Sequence, residues 1–199
     1  MADLIGALVP ILAAMLVTLA AICLLAFADW RISTFFLCLL YLGVLLLTAA
    51  SWPLALSMTR LVAGWMAAAI VGMAAASGKT ETGPSSSHVS PLFTLFAALL
   101  AGAAGLSQVP QLETTFPGIS LAQSWGAAML VCLGVVKIGL SGEPFPIITG
   151  LLTTLAGFGV IVPVLNAAPL TAGLLAAIDL GLALAGAYLM LAPAMESSA

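Results

Sequence analysis

The chain has 199 residues, of which 63% are hydrophobic and only 6% are charged. A soluble domain usually carries about 25% charged residues, so this chain has too few polar groups to cover a water-exposed surface. Its formal net charge is −3, from four basic and seven acidic residues, and the absence of a basic cluster argues against nucleic-acid binding. The composition predicts an all-α integral membrane protein, with residues 1–199 forming a single transmembrane helical domain.

Seven apolar segments are long enough to cross a bilayer, since each span needs about 20 residues. In chain order, the predicted spans cover residues 4–27, 33–50, 54–76, 91–106, 121–140, 145–164 and 170–191. The first segment exceeds the core of about 7–15 residues found in a signal peptide, so it is predicted to be a true span. Polar segments at about 77–90 and 107–120 are predicted to be loops.

The few basic residues predict an orientation. Arg31, Lys79 and Lys137 all fall on or near one side of the membrane in this topology, whereas the loops on the opposite side carry none. By the positive-inside rule that side is cytoplasmic. The sequence therefore predicts a protein of a bacterial inner membrane, with its N-terminus outside and its C-terminus in the cytoplasm.

Ionisable residues fall inside three predicted spans. A charge at the centre of a bilayer costs at least about 2.5–3.5 kcal/mol, so each one needs a reason. Lys137 lies close enough to the inner end of its span for the ammonium to reach the headgroups. Arg60 lies deeper, and Asp179 is near the middle of the seventh span with a stem too short to reach the surface.

Small residues flank both deep charges at helical spacing, which predicts that the two charges face protein rather than lipid. If spans three and seven touch, Arg60 and Asp179 lie within side-chain reach. The favoured interpretation is a structural ion pair, and the alternative is part of an ion or proton path. The residues predicted to share the two faces are Gly64, Ala67, Val71 and Ala74 around Arg60, and Ala172, Ala176, Ala183 and Gly186 around Asp179.

The sequence lacks the residues that catalysis or cofactor binding by this chain alone would need. Its one histidine, His88, lies in a predicted loop, and the three cysteines, Cys23, Cys38 and Cys132, are far apart in apolar segments. No haem, iron–sulfur or zinc ligand set follows from these residues. We expect no cofactor, no metal and no catalytic residue in this chain.

The segment Lys137-Ile-Gly-Leu-Ser-Gly-Glu-Pro-Phe-Pro, together with the segment Gly150-Leu-Leu-Thr-Thr-Leu-Ala-Gly-Phe, resembles the small membrane subunits of complex-I-related assemblies. Hydrogenase-4 component E, a relative of complex I subunit K, is similar in size and number of spans. The resemblance implies a scaffold subunit beside antiporter-like proton-pumping subunits. Subunit-K relatives carry glutamates inside their helices, and this sequence has none there, so no functional residue is carried over.

Three classes of function follow from these observations. The leading one is a non-catalytic membrane subunit of a larger respiratory or ion-translocating complex, whose partners are the lipid bilayer and other membrane subunits. The alternative is a small self-contained ion or solute transporter or channel that uses Asp179 and Arg60. A membrane enzyme acting on lipid-like substrates would have to use the loops around His88 and Glu113.

Overall fold

The computed structural model describes residues 2–27, 29–49, 51–78, 91–165 and 168–196, and every regular element within these ranges is an α-helix. The helices are α1 (Ala2–Ala26), α2 (Trp30–Thr48), α3 (Leu54–Gly78), α4 (Pro91–Thr115), α5 (Leu121–Leu140), α6 (Pro144–Leu165) and α7 (Pro169–Glu196). All seven are long and apolar enough to cross a membrane. The predicted all-α, seven-helix membrane fold is confirmed.

Six of the helices form a ring around a shared apolar core. Each helix contacts the next in the order α1, α2, α3, α7, α6, α5 and back to α1, and α2 also reaches α6 across the ring. Leu24, Leu37, Val44, Leu130 and Leu152 are among the side chains fully buried in this core. Helix α4 lies outside the ring, where it packs mainly on α5.

Glycines let the backbones of α5 and α6 pack directly against each other. A Cβ atom added to Gly134 on α5 would lie 2.9 Å from the carbonyl oxygen of Gly150 on α6, and one added to Gly150 would lie 3.0 Å from the carbonyl oxygen of Gly134. Because the two backbones already touch, a larger residue at either position would push the helices apart. Because lipid is as apolar as the side chains, helices in a bilayer associate through van der Waals packing, and close approach of this kind increases that packing.

The start of α5 is fixed to the end of α2. Ser120 and Gln123 form a capping box, in which each side chain bonds the backbone N–H of the other residue. The buried Gln123 amide also donates from Nε2 to the carbonyl oxygen of Leu47 at 2.9 Å and to Ser51 Oγ at 2.8 Å. These bonds hold α5 in register with the α2–α3 turn.

Helix α4 corrects one prediction. The predicted loop at residues 107–120 is mostly helical, since α4 continues through Pro110 to Thr115 and only residues 116–120 connect it to α5. Pro110 removes one backbone hydrogen bond, a loss that membrane helices tolerate when side chains, neighbouring helices or ordered waters satisfy the freed carbonyl. With 25 residues, α4 is about 37 Å long and extends beyond a hydrocarbon core of about 30 Å.

The other predicted loop, at 77–90, lies outside the described residues except for its first two positions, which belong to α3.

Candidate functional site

Two opposite charges meet inside the bundle. Helix α3 packs along α7, and Nη2 of Arg60 lies 3.6 Å from Oδ2 of Asp179, with both side chains 0% exposed. Arg60 is six residues from the start of α3 at Leu54, a depth of about 9 Å along the helix axis. The pair therefore lies well below the end of the bundle, where neither charge is in contact with water.

A tyrosine that sequence reasoning did not single out completes this centre. Tyr41 on α2 is fully buried, and its hydroxyl donates a hydrogen bond to Oδ1 of Asp179 at 3.1 Å. A buried tyrosine normally needs a partner for its hydroxyl, so a tyrosine in the middle of a span predicts a polar partner on a neighbouring helix. Nothing in the sequence indicates that this partner is Asp179.

Small residues make room for the three large polar groups. A Cβ atom at Gly64 would collide with the ring of Tyr41, and one at Gly159 on α6 would collide with the guanidinium of Arg60. The small residues predicted to flank the charges also face inward: Ala67, Val71, Ala74, Ala172, Ala183 and Gly186 are all buried, and Ala176 is half-buried. The centre thus joins α2, α3, α6 and α7.

The hydrogen bonding of the centre is incomplete. Among the described residues, no hydrogen-bond partner is found for the buried Nε, Nη1 and Nη2 of Arg60, for Oδ2 of Asp179, or for the hydroxyl of Ser57, one turn before Arg60 on α3. The separation of 3.6 Å between Arg60 and Asp179 is that of an ion pair and is too long for a hydrogen bond. The two charges therefore hold each other by electrostatic attraction, which is strong in the low dielectric of a buried site.

Lys137 lies away from this centre, near the end of α1. Its side chain is 6% exposed, and Nζ donates a hydrogen bond to the backbone carbonyl oxygen of Leu24. That carbonyl belongs to the last turn of α1, where backbone carbonyls have no partner within the helix and where a positive charge is favourable. The end of α1 therefore offers Lys137 an acceptor inside the bundle, and the prediction that its ammonium reaches the headgroups stays a prediction.

The remaining candidate residues form no site in the described part of the chain. Cys23, Cys38 and Cys132 are free, half-buried thiols on three different helices. Among the described residues, no three His, Cys, Asp or Glu side chains lie close enough together to hold a metal ion. His88 lies outside the described residues, so the expected absence of cofactors stays a prediction.

No protein-family model matches the chain, and no curated protein or solved structure matches it either. The resemblance of residues 137–158 to subunits of complex-I-related assemblies therefore stays a prediction.

Proposed function

We propose that this chain is a non-catalytic integral membrane subunit that scaffolds neighbouring membrane subunits of a larger respiratory or ion-translocating complex. The observation that carries the proposal is a small-residue stripe on the outer face of α7. It consists of Gly173, Ala177, Gly181 and Ala185, which follow one another at four-residue spacing and are all exposed. Small residues at this spacing let a second membrane helix approach closely.

The two glycines of the stripe pack against nothing in the described part of the chain. A Cβ atom added to Gly173 or Gly181 would meet no atom within 4 Å. Many other helical glycines in the bundle lie against a neighbouring helix. An added Cβ atom would clash with that helix at Gly43, Gly64, Gly126, Gly134, Gly150, Gly157, Gly159 and Gly186. Since glycine marks helix contacts inside the bundle, the exposed stripe fits a contact with a helix of another subunit. The type of complex follows from the sequence resemblance alone.

The alternative is a self-contained transporter that uses Asp179 and Arg60. The incomplete hydrogen bonding of Arg60 is the one observation that favours it, and the burial of the pair counts against it. Ionisable residues on an ion path usually face a water-filled cavity. Both side chains are 0% exposed, and they line neither the cleft beside Lys137 nor the cleft between α3 and α7 around Met58 and Leu180. Because the centre is closed to solvent, it favours the scaffold function rather than a conducting path.

The experiment compares the size of the native assembly with the activity of the chain alone. Membranes containing the tagged chain are solubilised in a mild detergent and separated on a native gel. We expect the wild type to migrate as part of a larger assembly and the Gly181→Leu variant to be released from it, because the added side chain blocks close approach. Gly139→Leu is the matched control, since Gly139 is also exposed and free of neighbours but lies on α5.

The purified chain is then reconstituted alone in vesicles and tested for ion flux. A scaffold subunit produces no flux without its partners. A wild-type chain that migrates as a monomer and carries ions in vesicles would instead establish the transporter.

We also propose that the protein lies in a bacterial inner membrane, with its N-terminus outside and its C-terminus in the cytoplasm. Arg31 lies in the first turn of α2, just after the α1–α2 connection, and Lys137 lies in the last turn before the α5–α6 connection. These connections share one end of the bundle, because Phe27 and Ser141 line the same cleft. Two positive charges at that end support a cytoplasmic location for it. Lys79 lies outside the described residues.

A further inference from the structure

A cleft opens at the end of the bundle where the α1–α2 and α5–α6 connections lie. Its volume is about 620 Å³, and residues from α1, α2, α4, α5 and α6 contribute to its walls. Most of the lining is apolar, including Leu25, Phe27, Leu95 and Phe145. Among the described residues, Lys137 is the one charged side chain in the lining. A volume of this size is typical of small-molecule sites, which are mostly apolar with a few polar groups.

Lys137 brings a buried positive charge to the cleft. Within the described part of the chain, no carboxylate forms an ion pair with its ammonium. One hydrogen bond goes to the carbonyl oxygen of Leu24, whereas an ammonium has three donors. The hydroxyls of Ser33 and Ser141 both donate to backbone carbonyl oxygens, at 3.1 Å and 2.7 Å. A buried charge is normally paired, so the cleft suits a ligand that brings a negative charge.

The start of α6 adds to this positive potential. Helix α6 begins at Pro144, and Phe145 and Pro146 in its first turn line the cleft opposite the end of α1. The N-terminal end of a helix carries a partial positive charge and favours anions. The ammonium of Lys137 and the first turn of α6 therefore both favour an anion, whereas the last turns of α1 and α5, which also line the cleft, favour a cation.

We propose that this cleft binds an acidic phospholipid of the surrounding leaflet, with the phosphate beside Lys137 and an acyl chain along the apolar walls. Lys137 lies three residues before the end of α5 at Leu140, a depth of about 4.5 Å, which is close to the level of lipid headgroups. Ile22, Phe27 and Leu95 are 40%, 45% and 58% exposed, so the apolar wall continues onto the lipid-facing surface. A bilayer lipid can therefore enter from the side. The proposal is independent of the scaffold function.

The test measures lipid retention by the full chain. The protein is reconstituted in phosphatidylcholine vesicles containing phosphatidylglycerol, extracted in a neutral detergent, and analysed by native mass spectrometry. We expect the wild type to retain one phosphatidylglycerol per chain. Lys137→Gln should lower this occupancy by about tenfold or more, as expected for the loss of a charge-assisted hydrogen bond, and Lys137→Arg should preserve it.

Two further variants separate the cleft from surface charge and from misfolding. Arg31→Gln removes an exposed cation at the same end of the bundle, where the guanidinium lies over the ring of Trp30 and outside the cleft, and it should retain the lipid. Ala98→Leu fills the cleft while keeping Lys137, so it should lose the lipid even if Lys137→Gln fails to fold.

The proposal is overturned if Lys137→Gln or a folded Ala98→Leu retains phosphatidylglycerol as the wild type does, or if Arg31→Gln loses as much as Lys137→Gln. Oleate and inorganic phosphate are tested as competitors. Displacement of phosphatidylglycerol by an equal amount of either would identify a site for a free anion and would also overturn it.

Discussion

Replacing Asp179 with asparagine should destabilise the chain strongly, because it leaves the guanidinium of Arg60 buried without its counter-charge. At the observed 3.6 Å between Nη2 and Oδ2, the attraction is about 5 kcal/mol for an effective dielectric constant of about 20. Removing one partner of a buried pair typically costs about 3–5 kcal/mol. The asparagine oxygen can still accept the hydrogen bond from Tyr41, so the substitution mainly reports the loss of charge.

A double-mutant cycle tests this reasoning. Asp179→Asn, Arg60→Gln and the double variant are unfolded with a denaturing detergent, and the fluorescence of the four tryptophans gives the free energy of unfolding. We expect each single variant to lose about 3–5 kcal/mol and the double variant to lose clearly less than the sum, since it leaves no unpaired charge. Asp29→Asn is the control, because Asp29 is exposed and should change stability by no more than about 0.5 kcal/mol.

Additive losses would refute the structural ion pair. A second result would refute the structural interpretation in another way: an Asp179→Asn variant that assembles and unfolds like the wild type but no longer supports ion flux. The amide keeps the shape of the carboxylate and loses its titration, so that outcome would assign Asp179 to a proton path.

Three other predictions follow from the packing. Gly159→Ala should destabilise the chain by about 1–3 kcal/mol because its Cβ collides with the guanidinium of Arg60, whereas Gly102→Ala, which meets no atom within 4 Å, should not, as measured by the same unfolding assay. Tyr41→Phe should cost about 1–3 kcal/mol, because Asp179 loses its hydrogen bond in a buried site. Single cysteines at Thr115 and Gly142, in a chain without its native cysteines, should label from opposite sides of the membrane, and labelling of both from one side would contradict the topology.

The structure shows why some residues of the centre escaped sequence reasoning. Arg60 and Asp179 stood out because a charge within an apolar span is costly wherever that span lies in the bundle. Gly159 carries no such signal, since its role depends on the guanidinium of another helix. The hydrogen bond from Lys137 to Leu24 carries no such signal either, because the sequence does not indicate that the end of α1 lies beside the end of α5.

The sequence by itself determined the number of spans, most of their limits and the depth of the buried charges. Those properties depend on hydropathy summed along the chain and on the fixed rise of a helix. Only the tertiary structure decided that α3 packs on α7, that Tyr41 bonds Asp179, and that Lys137 faces a cleft. Such contacts depend on how each helix is rotated and on which neighbour it meets. In a bilayer, close packing of small residues sets that choice, because an apolar face is equally stable against lipid.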